Sequence, residues 1–320
     1  MDRFNNNLTM LAPMLYVPAD RTDLCEVLSG KQDYGVCSIA LCLEDAVRPD
    51  NRKSAAIALG QTLNKIGSIP RPIFIRPADA KALEWILEHL PMNRIAGFIL
   101  PKATVNSIHL WVEMSLGMHT IIPIMETREA LDPVGRRELA QACLSHSSQI
   151  PGARIGANDI FSLLGGLRRP SGRTVYETPV GRVIDGLLEA FYSQGVKLSA
   201  PVCDRISEFA TLEREIKEDI HRGLFAKTAI HPSQVKVIWK SYEPYPDELE
   251  DARRILEPDA PAVFSSNGDM LEPSCHAEWA RRLIGRNALY RVASEEAIIS
   301  SRENRNVASR HKPLAVDSSE

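Results

Sequence analysis

Eight short apolar runs, rich in β-branched residues and separated by longer segments with helical spacing, constrain the fold of this chain most. The runs cover residues 11–19, 37–47, 72–78, 96–102, 120–127, 153–160, 196–202 and 226–232. The runs are almost continuously apolar and do not alternate between apolar and polar residues. This is typical of strands that are buried on both faces of a parallel sheet. Eight such units within 320 residues predict an α/β fold, a closed (β/α)8 TIM barrel.

The region after the eighth run has a different character. Residues 235–239, 247–257 and 276–291 have helical patterns, and a Pro/Gly/Ser-rich stretch covers 258–273. We therefore predict a barrel domain over residues 1–240 and a C-terminal helical extension over 241–299. Residues 300–320 are polar, which predicts a disordered tail.

Composition and charge exclude several classes of protein. The chain is 44% hydrophobic with a formal net charge of −3, so it has no global field for nucleic acid or an anionic membrane. Residues 1–10 lack a signal-peptide pattern and no apolar stretch is long enough for a membrane helix. We predict a cytoplasmic protein. Six scattered cysteines without Cys-x-x-Cys spacing indicate neither a zinc site nor a disulfide framework.

Two carboxylates stand at the ends of adjacent predicted strands. Glu126 ends the fifth run and Asp159 lies near the end of the sixth, so both are expected at the same rim of the barrel, where barrel enzymes place their active sites. Hard oxygen ligands in this number suit Mg²⁺, which commonly takes one or two carboxylates and fills its shell with water and substrate. The alternative is that both carboxylates cap the following helices.

Further charged residues follow the neighbouring strands. Arg76 ends the third run, Lys102 ends the fourth, and Glu44 and Asp45 follow the core of the second. A guanidinium here can bind a carboxylate or carbonyl oxygen in a forked contact. A purely structural ion-pair network would explain the same residues, but the amount of charge favours a site for an anionic, metal-chelating substrate.

A glycine- and arginine-rich segment follows the sixth run. Residues 165–173 contain Arg168, Arg169 and Arg173, and such a loop can form a concave anion-binding surface that binds phosphate or carboxylate. Arg21 is a further candidate for the same substrate group. A solvated basic loop is the alternative.

Six motifs follow one another along the chain: Tyr16-Val-Pro-Ala-Asp-Arg21, Leu43-Glu-Asp-Ala-Val47, Phe98-Ile-Leu-Pro-Lys102, Met125-Glu-Thr127, Gly156-Ala-Asn-Asp159 and Ala229-Ile-His-Pro-Ser-Gln234. Together they resemble the citrate lyase β-subunit-like family, which is related to the malyl-CoA and citramalyl-CoA lyases. The resemblance extends over residues 11–290.

The resemblance implies a role for each matching residue. Glu126 and Asp159 match the family's metal ligands and Arg76 its arginine, while Glu44 and Asp45 match the acids that hold metal-bound waters and orient that arginine. Some members take an acid from a neighbouring subunit, and Glu272 stands at that position. This implies a homo-oligomer, a trimer or a hexamer.

Departures from the family pattern cluster at the predicted mouth. Ala19 and Ala226 replace glycines, and the segment 198–202 lacks an acid that is often present. These changes suggest a divergent member with an altered substrate.

Together these observations predict a Mg²⁺-dependent carbon–carbon bond lyase. Its substrate is expected to be a small 2-oxo or 2-hydroxy carboxylate, either free or carried as a CoA thioester or another phosphate-bearing molecule. A metal-dependent thioester hydrolase is one alternative, distinguished by products that keep the carbon skeleton intact. A non-catalytic barrel that binds a phosphorylated metabolite is another, distinguished by binding that does not depend on Mg²⁺.

Overall fold

The computed structural model describes residues 12–290, and eight short parallel strands organise most of them. Every one of the eight apolar runs contains one strand. The strands are β1 Met14–Pro18, β2 Ser38–Cys42, β3 Ile73–Arg76, β4 Gly97–Leu100, β5 Thr120–Met125, β6 Ala153–Ile155, β7 Leu198–Ser199 and β8 Thr228–Ala229.

Helices connect these strands, and within residues 12–290 no helix is long and apolar enough to cross a membrane. Short 3₁₀ turns precede several of them. The helices are α1 Leu24–Leu28, α2 Arg52–Lys65, α3 Ala80–His89, α4 Val105–Met114, α5 Pro133–Ser145, α6 Ala157–Leu163, α7 Pro179–Tyr192, α8 Phe209–His221, α9 Pro232–Tyr242 and α10 Pro246–Ile255.

The strands form one sheet in the order β7-β6-β5-β4-β3-β2-β1-β8. Every pairing between neighbours is parallel, and β1 pairs with both β2 and β8. A parallel bridge between Ala200 and Lys227, just beyond β7 and before β8, closes the ring. The Ala200 N–H donates to the carbonyl of Ala226 at 2.8 Å across this seam. The predicted (β/α)8 barrel is therefore confirmed.

The barrel interior is packed with apolar side chains. One cluster of buried residues includes Met14, Phe74, Ile99, Ile122 and Ile124. Burying each such side chain contributes roughly 1.5–3 kcal/mol, so the strands assemble because their inward faces are apolar.

The described residues divide into two compact units, between Ser241 and Tyr242. The second unit contains α10, a two-stranded antiparallel hairpin of β9 Phe264–Ser266 and β10 Asp269–Leu271, and a helical segment over 273–290. Leu249, Ile255, Leu271 and Leu283 form part of its core. The predicted tail, 300–320, lies outside the described residues.

The hairpin corrects the sequence expectation for 258–273, which named only a Pro/Gly/Ser-rich stretch. Asn267 and Gly268 both have positive φ, 52° and 91°, which is the backbone of a tight two-residue turn that matches the twist of a hairpin. Asn-Gly is the preferred pair for this turn, so the sequence carried a signal for it.

Candidate active site

The carboxyl ends of β2 to β6 bring six of the predicted site residues together at one rim. Three carboxylates, Glu44, Asp45 and Glu126, surround the guanidinium of Arg76. The ammonium group of Lys102 lies between Glu44 and Asp159. The sheet order explains this, because consecutive strands are neighbours and their ends meet at one edge.

Arg76 is the hub of the cluster. Its Nη2 lies 2.8 Å from Glu44 Oε2, 3.2 Å from Asp45 Oδ2 and 3.6 Å from Glu126 Oε1. The residue is buried, with 8% of its surface exposed. Burial acts to lower the pKa of Arg76, but the negative groups around it outweigh burial and raise the pKa above its ordinary value. The guanidinium is therefore a fixed positive charge.

Lys102 contacts the cluster through both its backbone and its side chain. Its N–H donates to Glu126 Oε1 at 2.8 Å, and its Nζ lies 2.5 Å from Glu44 Oε1 and 3.7 Å from Asp159 Oδ1. The residue has φ 48°, a left-handed conformation that is uncommon for a residue with a Cβ and is often found at functional sites. The side chain is half exposed, so its ammonium can leave this position.

Glu126 is the most buried carboxylate of the rim together with Glu44. It fits because residue 156 is glycine: a Cβ there would lie 2.1 Å from Glu126 Oε2. Burial raises the pKa of Glu126 to about 7, with Arg76 opposing the change and the charge of Asp159 adding to it. Both the protonated and the ionised form of Glu126 are therefore populated near pH 7.

Glu44 and Asp45 differ although they are neighbours in sequence. Burial raises the pKa of Glu44. Burial also acts on Asp45, but the hydrogen bond with Glu44 and the charge of Arg76 outweigh it and lower the pKa of Asp45. Asp45, with 59% of its side chain exposed, therefore remains ionised at the mouth.

The donor set fits a hard divalent cation. Four carboxylates, from Glu44, Asp45, Glu126 and Asp159, face two cations, Arg76 and Lys102, which leaves two negative charges in excess when all four carboxyls are ionised. The Asp159 carboxylate accepts no hydrogen bond from residues 12–290, and α6 has no side-chain cap. No cap hydrogen bond therefore supports the helix-capping alternative for Asp159, whose Oδ1 lies 3.7 Å from the ammonium of Lys102.

The arginine-rich segment divides into buried and exposed parts. Arg169 is fully buried, with its Nη1 2.6 Å from Glu215 Oε2 and its Nε 3.2 Å from Asp204 Oδ1. Arg169 is thus committed to the protein interior, in contrast to the expected role in substrate binding. Arg168 and Arg173 are exposed, and Arg173 lies 3.2 Å from Glu177.

The two remaining predicted residues have local partners. Arg21 follows β1, is exposed, and pairs with Asp23 at 2.5 Å. Glu272 belongs to the second unit, directly after β10, and its backbone N–H donates to Nδ1 of His276 at 3.0 Å.

Two side chains inside the barrel, Tyr16 and Arg154, have no role predicted from the sequence. The guanidinium carbon of Arg76 lies 5.8 Å and that of Arg154 4.8 Å from the ring centroid of Tyr16. The buried Tyr16 hydroxyl has no hydrogen-bond partner among the described residues. Arg154 was detectable in the sequence, because it is a charged residue within an otherwise apolar strand.

Comparisons with known proteins identify the family of this chain. A family model for the C–C bond lyase of the TIM-barrel fold matches residues 6–292. A citrate lyase subunit β-like protein of Mycobacterium tuberculosis is 27% identical over 286 residues, 87% of this chain and 98% of the relative. A (3S)-malyl-CoA thioesterase of Cereibacter sphaeroides is 24% identical over 255 residues, 75% of this chain and 80% of the relative.

A solved structure shows the same fold. The crystal structure of CitE from Mycobacterium tuberculosis in complex with magnesium, acetoacetate and coenzyme A matches with a TM-score of 0.69 and 25% identity. The match covers 88% of this chain and 99% of that one. The resemblance noted in the motifs is therefore confirmed, and the chain belongs to the C–C bond lyase family of the TIM-barrel fold as a citrate lyase β-like member.

Proposed function

We propose that this chain is a Mg²⁺-dependent carbon–carbon bond lyase acting on a 2-oxo or 2-hydroxy carboxylate, either free or carried as a CoA thioester. The observation that carries the proposal is the convergence of Glu126, Asp159 and Arg76 at one rim, with carboxyl groups in excess of cations. The similar CitE structure, which contains magnesium, acetoacetate and coenzyme A, supports the ligand classes.

Each residue of the rim has a distinct part in this reaction. Glu126 and Asp159 would hold Mg²⁺, which when bound acts as a Lewis acid toward a substrate oxygen. Arg76, held in place by Glu44 and Asp45, presents a positive charge where negative charge develops as the carbon–carbon bond breaks. Because the guanidinium is already fixed, little reorganisation is needed at that moment.

The remaining predicted residues serve the outer parts of the substrate. Lys102 and Arg21 bind carboxylate groups, and the exposed Arg168 and Arg173 bind phosphate groups of a CoA-type tail. Residues 1–240 carry the reaction, and the extension over 241–299 carries Glu272, which acts as the base at the site of a second copy in a trimer or hexamer.

Calorimetric titration with Mg²⁺, with and without pyruvate, tests the metal site. We expect Mg²⁺ binding that pyruvate strengthens, because a 2-oxo acid offers two oxygens for chelation. Asp159→Ala should lose both effects, whereas the control Asp185→Ala, which changes a surface carboxylate paired with Arg222, should keep them. Unchanged Mg²⁺ binding in Asp159→Ala would contradict the assignment, and pyruvate binding that ignores Mg²⁺ would favour a non-catalytic barrel.

A thioester hydrolase is the second candidate, supported by the similarity to a (3S)-malyl-CoA thioesterase. Carbon-13 NMR of the products separates the two reactions. A lyase divides the labelled carbon skeleton between two molecules, whereas a hydrolase releases one intact acid and CoA.

A further inference from the structure

Tyr16 connects parts of the barrel that are not neighbours in the sheet. It lies on β1, and its ring faces the guanidinium of Arg76, at the end of β3, and that of Arg154, on β6. The distances from the ring centroid to the two guanidinium carbons are 5.8 Å and 4.8 Å. None of these three strands pairs with another of the three, so the contacts run across the interior of the barrel.

Both contacts are within the range of cation–π attraction. A guanidinium within about 6 Å of an aromatic centroid is attracted to the face of the ring, and more strongly where water is excluded. Arg76 and Arg154 are 8% and 4% exposed, so water screens neither contact much. The hydroxyl of Tyr16 is buried and has no hydrogen-bond partner among the described residues. The ring, and not the hydroxyl, therefore makes the interaction.

The ion pairs of Arg76 leave the orientation of its guanidinium plane open. In the described part of the chain, the ion pairs with Glu44, Asp45 and Glu126 all end on one nitrogen, Nη2. The Nε of Arg76 is buried and donates to no group there. Contacts at one nitrogen fix the position of that atom but allow the plane to tilt about it. The direction of the remaining N–H donors therefore depends on a second contact, which the Tyr16 ring provides.

We propose that Tyr16 is a positioning residue that fixes the plane of the Arg76 guanidinium and so orients its N–H donors toward the charged oxygen of the substrate. The inference rests on the proposed function, in which Arg76 stabilises the negative charge that develops as the carbon–carbon bond breaks. Donors that are already oriented need no reorganisation at that moment, whereas a small misplacement at a reacting centre is costly. Arg154, at the shorter distance, restrains the ring in turn.

Calorimetric binding of two probes, pyruvate and oxalate, at constant free Mg²⁺ tests the inference. Both probes offer two oxygens for chelation, but oxalate carries negative charge on both, as the enolate formed from a 2-oxo acid does. An oriented guanidinium therefore favours oxalate over pyruvate. We expect Tyr16→Leu to lower the affinity for oxalate by about tenfold and that for pyruvate by about twofold at most. The affinity for Mg²⁺ alone should not change, because Glu126 and Asp159 remain.

Three variants separate orientation of Arg76 from packing. Tyr16→Phe keeps the ring and should bind oxalate like the wild type. Phe74→Leu shrinks an aromatic side chain of the core cluster against which Tyr16 packs, and it should keep the preference for oxalate even if it lowers Tm. Adding Tyr16→Leu to Arg76→Lys should not lower the oxalate affinity further, because the guanidinium that the ring orients is absent.

Three results would overturn the inference. They are an unchanged oxalate affinity in Tyr16→Leu, a loss in Tyr16→Phe as large as that in Tyr16→Leu, and equal losses from Tyr16→Leu with and without Arg76→Lys. Tyr16→Met, whose unbranched side chain adapts to irregular space, replaces Tyr16→Leu if that variant does not fold. A wild-type chain that binds neither probe with Mg²⁺ would contradict the proposed function as well, whereas wild-type binding in Tyr16→Leu contradicts this inference alone.

Discussion

Replacing Glu215 with glutamine should destabilise the barrel far more than replacing Glu218, three residues further along α8, with glutamine. Glu215 lies on α8 with none of its surface exposed. Its carboxylate accepts hydrogen bonds from Arg169 Nη1 at 2.6 Å, from the N–H of Val175 at 2.9 Å and from Lys227 Nζ at 3.0 Å. The change keeps the volume of the side chain and removes its charge.

The magnitude follows from the charges around it. Glu215 is a partner of both Arg169 and Lys227; Arg169 also lies 3.2 Å from Asp204, and the Lys227 ammonium lies 2.9 Å from Asp219. Removing one partner of a buried ion pair typically costs about 3–5 kcal/mol. Because Arg169 keeps Asp204 and Lys227 keeps Asp219, we expect a loss at the lower end, about 3 kcal/mol, or roughly 6–12 °C in Tm.

Urea unfolding followed by tryptophan fluorescence measures this loss. The matched control is Glu218→Gln, whose carboxylate is 43% exposed and pairs with Arg222 at 2.5 Å. Exposed pairs contribute less than about 1 kcal/mol because water screens them. Adding Lys227→Met to Glu215→Gln should destabilise by less than the sum of the two single changes, since both changes break the same ion pair. Equal losses for Glu215→Gln and Glu218→Gln would refute the reasoning.

Three further predictions concern the rim. Burial raises the pKa of Glu126 from its ordinary value of 4.5 to about 7. This carboxyl therefore contributes to the stability of the metal-free protein in full below pH 4.5, and the contribution is lost as the pH rises through 7. Mg²⁺ needs the ionised form, so affinity measured by calorimetry should rise with pH and level off above 7; a pH-independent affinity would contradict this. Gly156→Ala should abolish Mg²⁺ binding while the protein stays folded by circular dichroism, because the added Cβ would meet Glu126. Gly67→Ala, with open space around it, should bind normally, and normal binding in Gly156→Ala would count against the site. Arg76→Lys should lower turnover by about 100-fold or more with Mg²⁺ binding retained, since an ammonium lacks the forked geometry; wild-type turnover would exclude Arg76 from the reaction.

The barrel and much of its rim were predictable from the sequence for a physical reason. Strands buried on both faces are mostly apolar, so charged residues such as Arg76 and Glu126 are expected where a strand ends; Arg154, in the middle of β6, is an exception. Once eight runs indicate a closed barrel, those ends must share one rim. Because consecutive strands are neighbours, the sequence alone predicts that these charged residues lie close together.

The role of Arg169 was not predictable in the same way. The glycine-rich composition of 165–173 is typical of an exposed loop, but it does not show which part of the chain lies above it. The partner of Arg169 is Glu215, 46 residues further along the chain on α8, and no local pattern links the two. The β9–β10 hairpin was missed because its residues are mostly exposed or half-exposed and lack the apolar alternation of a typical strand.

The seam of the barrel has a consequence for how the molecule opens. β7 and β8 are two residues long each, and they meet through the single bridge between Ala200 and Lys227. Beside these few backbone bonds, Lys227, directly before β8, is held by ion pairs to Glu215 and Asp219 on α8, the helix between the two strands. Among the strands, amide hydrogen exchange should therefore be fastest at β7 and β8. Loss of the Lys227 ion pairs should make the β7–β8 pairing the first part of the barrel to unfold locally.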